Sequence, residues 1–285
     1  MKQPPAADWH AEENAARYAA FAHTASLYRV TSRFLVSVAG VQPGATVLDL
    51  ACGTGVTTQA ALEALDGSGH VYALDSSLAQ LAHARAAVTA RNVTFVHASA
   101  DRPPAQVRRV DHILCNSAFW QLPLEPTLDS LARVARAGAT LVVNLPAAKV
   151  PRASRAVASD LQREGRRARP SLEAMMQQLA RAELGYCAPP RLRDAAASER
   201  YEDRLARAVA RSRFELRRSV GLSVPVSPRE RYDWYSIPLF RQNVLGAMEP
   251  DESQKILDRA YELWSPDAEL EHSHWVVFVF VLRAP

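Results

Sequence analysis

The stretch VLDLACGTG, Val47–Gly55, decides the fold of this 285-residue chain. An apolar run (Val47, Leu48, Leu50) carries an acid, Asp49, and ends in a Gly-rich turn. VTTQAALEAL, with helical character, follows at once. A strand–turn–helix unit of this kind exposes bare backbone at Gly53 and Gly55, where a ligand can approach without meeting a Cβ. A second acid, Asp75, closes the next apolar run, GHVYALDSS. It lies about 20 residues past the glycines, the separation at which a carboxylate grips a ribose diol. Dinucleotide turns place a third glycine where this chain has Thr58. That disfavours a pyrophosphate on the helix N-terminus and favours a nucleoside ligand without phosphates.

The pattern repeats downstream. NVTFVHASAD (Asn92–Asp101), VDHILCNSAFWQL (Val110–Leu122) and TLVVNLP (Thr140–Pro146) each read as an apolar strand ending in small or polar residues. Alternating strands and helices imply a parallel sheet covered on both faces, with ligands bound beyond the carboxyl ends of the strands. Asp49, Asp75, Ser99 and Asn116 all fall at such ends, so they converge on one crevice. These four motifs, in this order, resemble the class I S-adenosylmethionine-dependent methyltransferases. The resemblance implies a Rossmann-like, doubly wound α/β sheet of seven strands, mostly parallel with an antiparallel last strand, plus a helical lid insertion. It implies S-adenosyl-L-methionine as cofactor.

The resemblance also assigns roles. Asp49 faces the methionine amino group, and Ala51, Gly53 and Gly55 form the turn. Relatives more often have glycine at the position of Ala51, a mild departure here. Asp75 takes the ribose hydroxyls, with Ser76 beside it. Gln80 stands where many relatives place a methionine against the adenine. Ser99 and Ala100 border the adenine; Ser99 replaces an aspartate common in the family, with Asp101 as a substitute two residues on. Asn116 and Ser117 pass the methionine part. Phe119 and Trp120 begin the acceptor pocket, with Trp234 and Tyr235 as an opposite wall. Arg231 and Arg241 flank that wall. Methyl transfer needs alignment and water exclusion more than an acid–base array. The catalytic base therefore stays unassigned, with His23, Tyr18 and Tyr28 near the N-terminal helix as candidates. No metal is expected.

Composition bounds the rest. With 48% apolar residues the chain can bury a full core. The apolar run Trp275–Leu282 is too short to cross a bilayer. MKQPPAADWH lacks an apolar leader core, which predicts no secretory signal. Three widely spaced cysteines (Cys52, Cys115, Cys187) suggest neither a disulfide framework nor zinc, and so a cytoplasmic home. The net charge of +4 does not demand a nucleic acid.

The domain reading places an N-terminal helix and the cofactor-binding core at 1–146. A helical lid follows at 147–196, where prolines and arginines break the alternation. Residues 197–285 complete the sheet, with a second cap segment at 226–268. Residues 1–10 read as loose, and Ala11–Val38 as one helical stretch. The expected function is methylation of a small-molecule acceptor, at oxygen by family frequency, in specialised metabolism, such as natural product biosynthesis. The alternatives are a cyclase or other non-methylating protein that binds the same cofactor, and an RNA or protein methyltransferase. The last is disfavoured by Asn116-Ser117-Ala118-Phe119, which lacks the prolines of base-amine methylases. Neither a membrane nor a nucleic acid is expected as partner.

Overall fold

A computed structural model describes residues 9–157, 170–186 and 200–284; residues 158–169 and 187–199 of the expected lid region lie outside the described residues. The chain opens with α1 (Glu12–Thr24) and α2 (Ser26–Ala39), followed by β1 (Thr46–Leu50), α3 (Val56–Leu65), β2 (His70–Asp75), α4 (Leu78–Ala87), β3 (Val93–His97) and β4 (Val110–Cys115). A 3₁₀ turn at Phe119–Gln121 leads to α5 (Leu124–Val134) and β5 (Ala135–Pro146). Then come α6 (Pro151–Val157), α7 (Leu172–Leu184), α8 (Tyr201–Arg211) and β6 (Phe214–Val226). The chain closes with α9 (Pro228–Ser236), α10 (Pro238–Leu245), α11 (Pro250–Trp264) and β7 (Glu271–Leu282).

The seven strands form one sheet in the order β3-β2-β1-β4-β5-β7-β6. The first five strands run parallel, and β7 runs antiparallel to both β5 and β6. The order reverses between β1 and β4, so the crevice expected from the sequence opens there. The doubly wound, mostly parallel sheet is the one the motifs imply. One face is sealed by Leu124, Leu128 and Leu131 of α5 with Leu205 of α8. The other is sealed by Leu35 and Val36 of α2 with Ala61 and Leu65 of α3. Central strands covered on both sides explain their near-continuous apolar runs.

The helical stretch Ala11–Val38 divides into two. Ala25 is extended (φ −66°, ψ 138°), and its N–H bonds to the Phe21 carbonyl as α1 ends. The first N–H of α2, at Ser26, is taken by the Glu230 carboxylate from α9. Glu230 also closes a capping box with Ser227, so one side chain starts α9 and ties it to α2. The helix α9 is thereby fastened to the N-terminal helices. Behind it, α7, α10 and α11 share a separate apolar cluster around Met176, Leu245, Leu257 and Trp264. The Trp264 indole N–H bonds the Pro170 carbonyl at 3.0 Å.

Candidate active site

The turn after β1 holds three residues in the left-handed region: Ala51 (φ 54°), Gly53 (φ 52°) and Gly55 (φ 90°). Glycine adopts this region freely, whereas an alanine there is strained by about 1 kcal/mol. Ala51 therefore carries a conformation better suited to glycine. The two glycines serve different purposes. A Cβ on Gly53 would project toward the crevice, 3.4 Å from the Tyr18 ring and 3.8 Å from the Gln80 Oε1. A Cβ on Gly55 would instead press Val88 Cγ2 at 3.1 Å and Ala84 Cβ at 3.4 Å, at the far end of α4. Gly53 thus keeps a cradle open, while the space beside Gly55 is filled by helix packing.

Asp49 is 1% exposed and accepts the Thr58 hydroxyl at 2.6 Å. Burial lifts its pKa to about 7; the Thr58 bond opposes this rise and the nearby Asp75 adds to it. Asp75 accepts the Gly53 N–H through Oδ2 at 2.8 Å and the Ser77 N–H through Oδ1 at 2.9 Å. Burial raises its pKa too, opposed by those backbone bonds. One carboxylate therefore pins the glycine turn to the start of α4. The Ser76 carbonyl is bonded by the His97 ring at 3.0 Å. Ser99 donates to Asp101, so the two side chains pair with each other. Ala100 is buried, and its carbonyl accepts the Ser130 hydroxyl.

Beyond β4, Asn116 and Ser117 make a turn with Ser117 at φ 57°. The Asn116 amide donates to Thr31, Ser32 and Thr57 hydroxyls at 3.0–3.2 Å. Asn144 of β5 secures the other side of the turn through Ser117 N–H and Asn116 Oδ1. The sequence reading missed Asn144. Its signal was a lone amide in the middle of an apolar strand, where a buried polar group needs partners.

Aromatic rings cover this crevice. Tyr18 packs edge-on to Tyr28 at 5.4 Å, and Trp234 stacks on Phe240 at 4.0 Å. Phe21 joins Tyr28 and Trp234 at 5.9 and 5.5 Å. The side chains of Tyr18, Tyr28 and Ser117 influence one another electrostatically. Burial pushes both phenols well above their ordinary pKa, so both stay protonated at neutral pH. Burial thus disfavours the phenolate form of either tyrosine. The His23 Nε2 lies 2.9 Å from the Thr54 carbonyl, which can only accept, so this nitrogen carries the proton. His23 therefore holds the glycine turn.

The other expected wall residues have packing or hydrogen-bond partners of their own. Phe119 is fully buried in the main core against α5. Trp120 leans on Trp275, 6.3 Å between centroids. Tyr235 turns away from Trp234 into the cap, where its hydroxyl bonds Glu173. Arg231 pairs with Glu271 at 2.8 Å. Arg241 is buried, bonding the carbonyls of Tyr235 and Ser236 at the end of α9. Trp9 was read as part of a loose terminus but is packed down. Its indole donates to Gln121 at 3.0 Å, its carbonyl accepts the Ser77 hydroxyl at 2.9 Å, and its ring meets Tyr18 and Phe240. A single tryptophan next to prolines gives no periodic signal, so contact with distant rings decides its place.

The donor set fits S-adenosylmethionine. Gly53 offers a cradle that a Cβ would fill, and Asp75 offers a buried carboxylate beside it. The buried Thr54 hydroxyl and both polar atoms of Gln80 have no hydrogen-bond partner among the described residues. Beneath Tyr18 there remains a cavity of about 30 Å³, bounded by Tyr28, Gly53, Thr57 and Asn116. That volume suits a water molecule and not a nucleoside.

Comparison with known proteins agrees with this geometry. Residues 47–138 match the family described as a methyltransferase domain. A demethylmenaquinone methyltransferase of Shouchella clausii is 34% identical over 106 residues, covering 36% of this chain and 45% of that protein. The ubiquinone/menaquinone biosynthesis C-methyltransferase UbiE of Ectopseudomonas mendocina is 31% identical over 122 residues, covering 41% and 48%. The chain spans about half the length of the curated relatives it matches. Among solved structures, a Bacillus halodurans protein described as a methyltransferase superposes with TM-score 0.52 at 13% identity, covering 90% of this chain and all of that one. At that identity the likeness is one of fold. The match to a methyltransferase domain over residues 47–138 agrees with the resemblance read from the sequence motifs.

Proposed function

We propose that the protein transfers the methyl group of S-adenosylmethionine to a small, flat, largely apolar acceptor. The observation that carries this reading is the aromatic cover. Tyr18, Phe21, Tyr28, Trp234 and Phe240 pack as one cluster, and its Tyr18 ring lies 3.4 Å from the point a Gly53 Cβ would occupy. Aromatic walls bury planar molecules well. When bound, the cofactor supplies a methyl group on a sulfonium, which reacts by in-line displacement. In this reading Asp75 and the Gly53 backbone hold the nucleoside. Asp49 faces the charged methionine end, and Asn116 and Ser117 fix the side from which the acceptor approaches. The cover excludes water from the reacting atoms.

Among the described residues, the candidate bases stay protonated or are engaged elsewhere. The acceptor then brings its own nucleophilicity, as a phenolate-type anion or an electron-rich ring carbon. Both curated relatives are named for quinone biosynthesis, one expressly for C-methylation, which favours carbon over the oxygen expected from the sequence. Arg231 and Arg241 are engaged inside the cap, which favours a small acceptor over a nucleic acid. A cytoplasmic role in specialised metabolism belongs to the same proposal, as does the domain division at residues 146 and 196.

The test is incubation of purified protein with S-adenosylmethionine and a panel of phenols, hydroquinones and enolisable diketones. The expected result is a methylated product, and its NMR spectrum separates carbon from oxygen. Cofactor binding without transfer to any small acceptor or to RNA would instead support the non-methylating alternative.

A further inference from the structure

Gln80 is the third residue of α4 and is 2% exposed, yet neither its Oε1 nor its Nε2 has a hydrogen-bond partner among the described residues. Its backbone is well anchored, since its N–H bonds the capping Ser77 hydroxyl at 3.2 Å. The side chain runs inward beside the glycine turn, with Oε1 3.8 Å from the point a Gly53 Cβ would occupy. A buried amide without partners destabilises the chain that carries it, whereas a methionine or leucine fills similar space without that penalty. The neighbouring Thr54 hydroxyl is likewise buried without a partner. Unsatisfied polar groups converging on a cradle have their complement in whatever enters it.

The chemistry of that complement follows from Asp75. Its carboxylate is an acceptor only, and each oxygen already takes one backbone N–H. A vicinal diol can donate both protons to the remaining lone pairs of Asp75. Its own oxygens then still need a donor, which a carboxylate cannot supply. The Gln80 NH₂ can. We propose that Gln80 is a specificity-determining residue that donates to a ribose hydroxyl of the cofactor, completing the recognition begun by Asp75. The inference rests on the cofactor reading given under Proposed function.

The experiment measures dissociation constants of S-adenosylhomocysteine and its 2′-deoxy and 3′-deoxy analogues by calorimetry. The proteins are wild type, Gln80→Leu and Gln80→Met, the flexible methionine serving where leucine does not fit. Thermal melting without ligand accompanies each. The variants should melt at the wild-type temperature or higher, because a buried unpaired amide is gone. They should bind S-adenosylhomocysteine at least tenfold more weakly. For one of the deoxy analogues, wild type and variant should bind equally, because the hydroxyl that Gln80 reads is missing. Wild-type affinity in both variants overturns the assignment to Gln80. A tenfold loss that persists with both deoxy analogues overturns the ribose as its target. Failure of wild-type protein to bind S-adenosylhomocysteine overturns the cofactor reading itself, a distinct result.

Discussion

Asn144 and Asn116 face each other across β5 and β4, the amide of Asn144 donating to Asn116 Oδ1 at 2.8 Å. Asn144 also accepts the Ser117 N–H at 2.6 Å, so both ends of one buried side chain fasten the turn beside the reacting centre. Ser117 needs that support, because a non-glycine residue at positive φ is strained by about 1–2 kcal/mol. Asn144→Leu should cost about 2 kcal/mol of stability, since the Asn116 oxygen and the Ser117 N–H lose their partner in a dry core. Urea unfolding checks this. S-adenosylhomocysteine affinity should fall with it, because the turn relaxes. A variant as stable as wild type would show that the network is incidental.

Asp75→Ala tests a residue with two jobs. Removing an ionised acceptor from a diol should weaken S-adenosylhomocysteine by about 1.5–3 kcal/mol. The backbone bonds to Gly53 and Ser77 are lost as well, so ligand-free stability should drop by about 1 kcal/mol. A variant with wild-type affinity would remove Asp75 from the ribose site.

The two glycines of the turn should separate under substitution. Gly53→Val should abolish cofactor binding while leaving a folded protein, because its side chain would enter the cradle. Gly55→Ala should leave the cradle clear but crowd Val88, costing about 1–3 kcal/mol of stability. Calorimetry and thermal melting on both variants decide it. Equal losses of affinity in well-folded variants would return Gly55 to the ligand-contact role expected from the sequence.

Asp49 predicts a pH dependence. Its pKa rises from 3.8 to about 7 in the folded chain. Between those values the folded state holds a proton that the unfolded state has released, so stability falls as pH rises through this window and levels off above it. Asp75, shifted in the same direction, contributes a fall of the same sign. Asp49→Asn keeps an acceptor for the Thr58 hydroxyl and cannot titrate, so its stability should depend less steeply on pH between 4 and 7. If Asp49 faces an ammonium group, ligand binding favours its charged form. Binding to wild type should then release a proton near pH 6 to 7, visible as a dependence of the calorimetric heat on buffer. The variant should release fewer protons, those remaining coming from Asp75.

The sequence revealed the scaffold more readily than the contacts. The runs at Val47–Leu50, His70–Asp75 and Val110–Cys115 each ended where polar residues began, and strand ends are where this sheet gathers its ligands. Ser171, a serine just ahead of an amphipathic run, caps α7 through a bond from the Ala174 N–H. Contacts between distant residues were not legible. Phe119 looked like a pocket wall because it follows β4, but the 3₁₀ turn rotates it into the core. Tyr235 adjoins Trp234 in sequence, yet neighbours on a helix point to different sides, and only Trp234 meets Tyr28. The role of Gly55 depended on Val88, whose approach no spacing rule contains.

Trp234 tests the acceptor pocket most directly. Its ring lies at 16° to Phe240 and 15° to Tyr28, so it is the middle layer of a stack joining the cap to α2. A plug that merely seals cap to sheet and a wall that grips a planar acceptor would both use such a stack. Their energetics differ. Trp234→Ala should cost about 3–5 kcal/mol of stability in either case, as for other large truncations in packed clusters. For an acceptor wall, KM for the acceptor should also rise at least tenfold, while S-adenosylhomocysteine affinity changes less than twofold. Trp234→Phe should restore most of the acceptor affinity, because a flat face returns even though the volume does not. Steady-state kinetics on the two variants, with binding measured in parallel, tells the readings apart. A wild-type acceptor KM in folded Trp234→Ala would make the cluster a plug and move the acceptor to the side of α1 that faces Trp9 and Gln121.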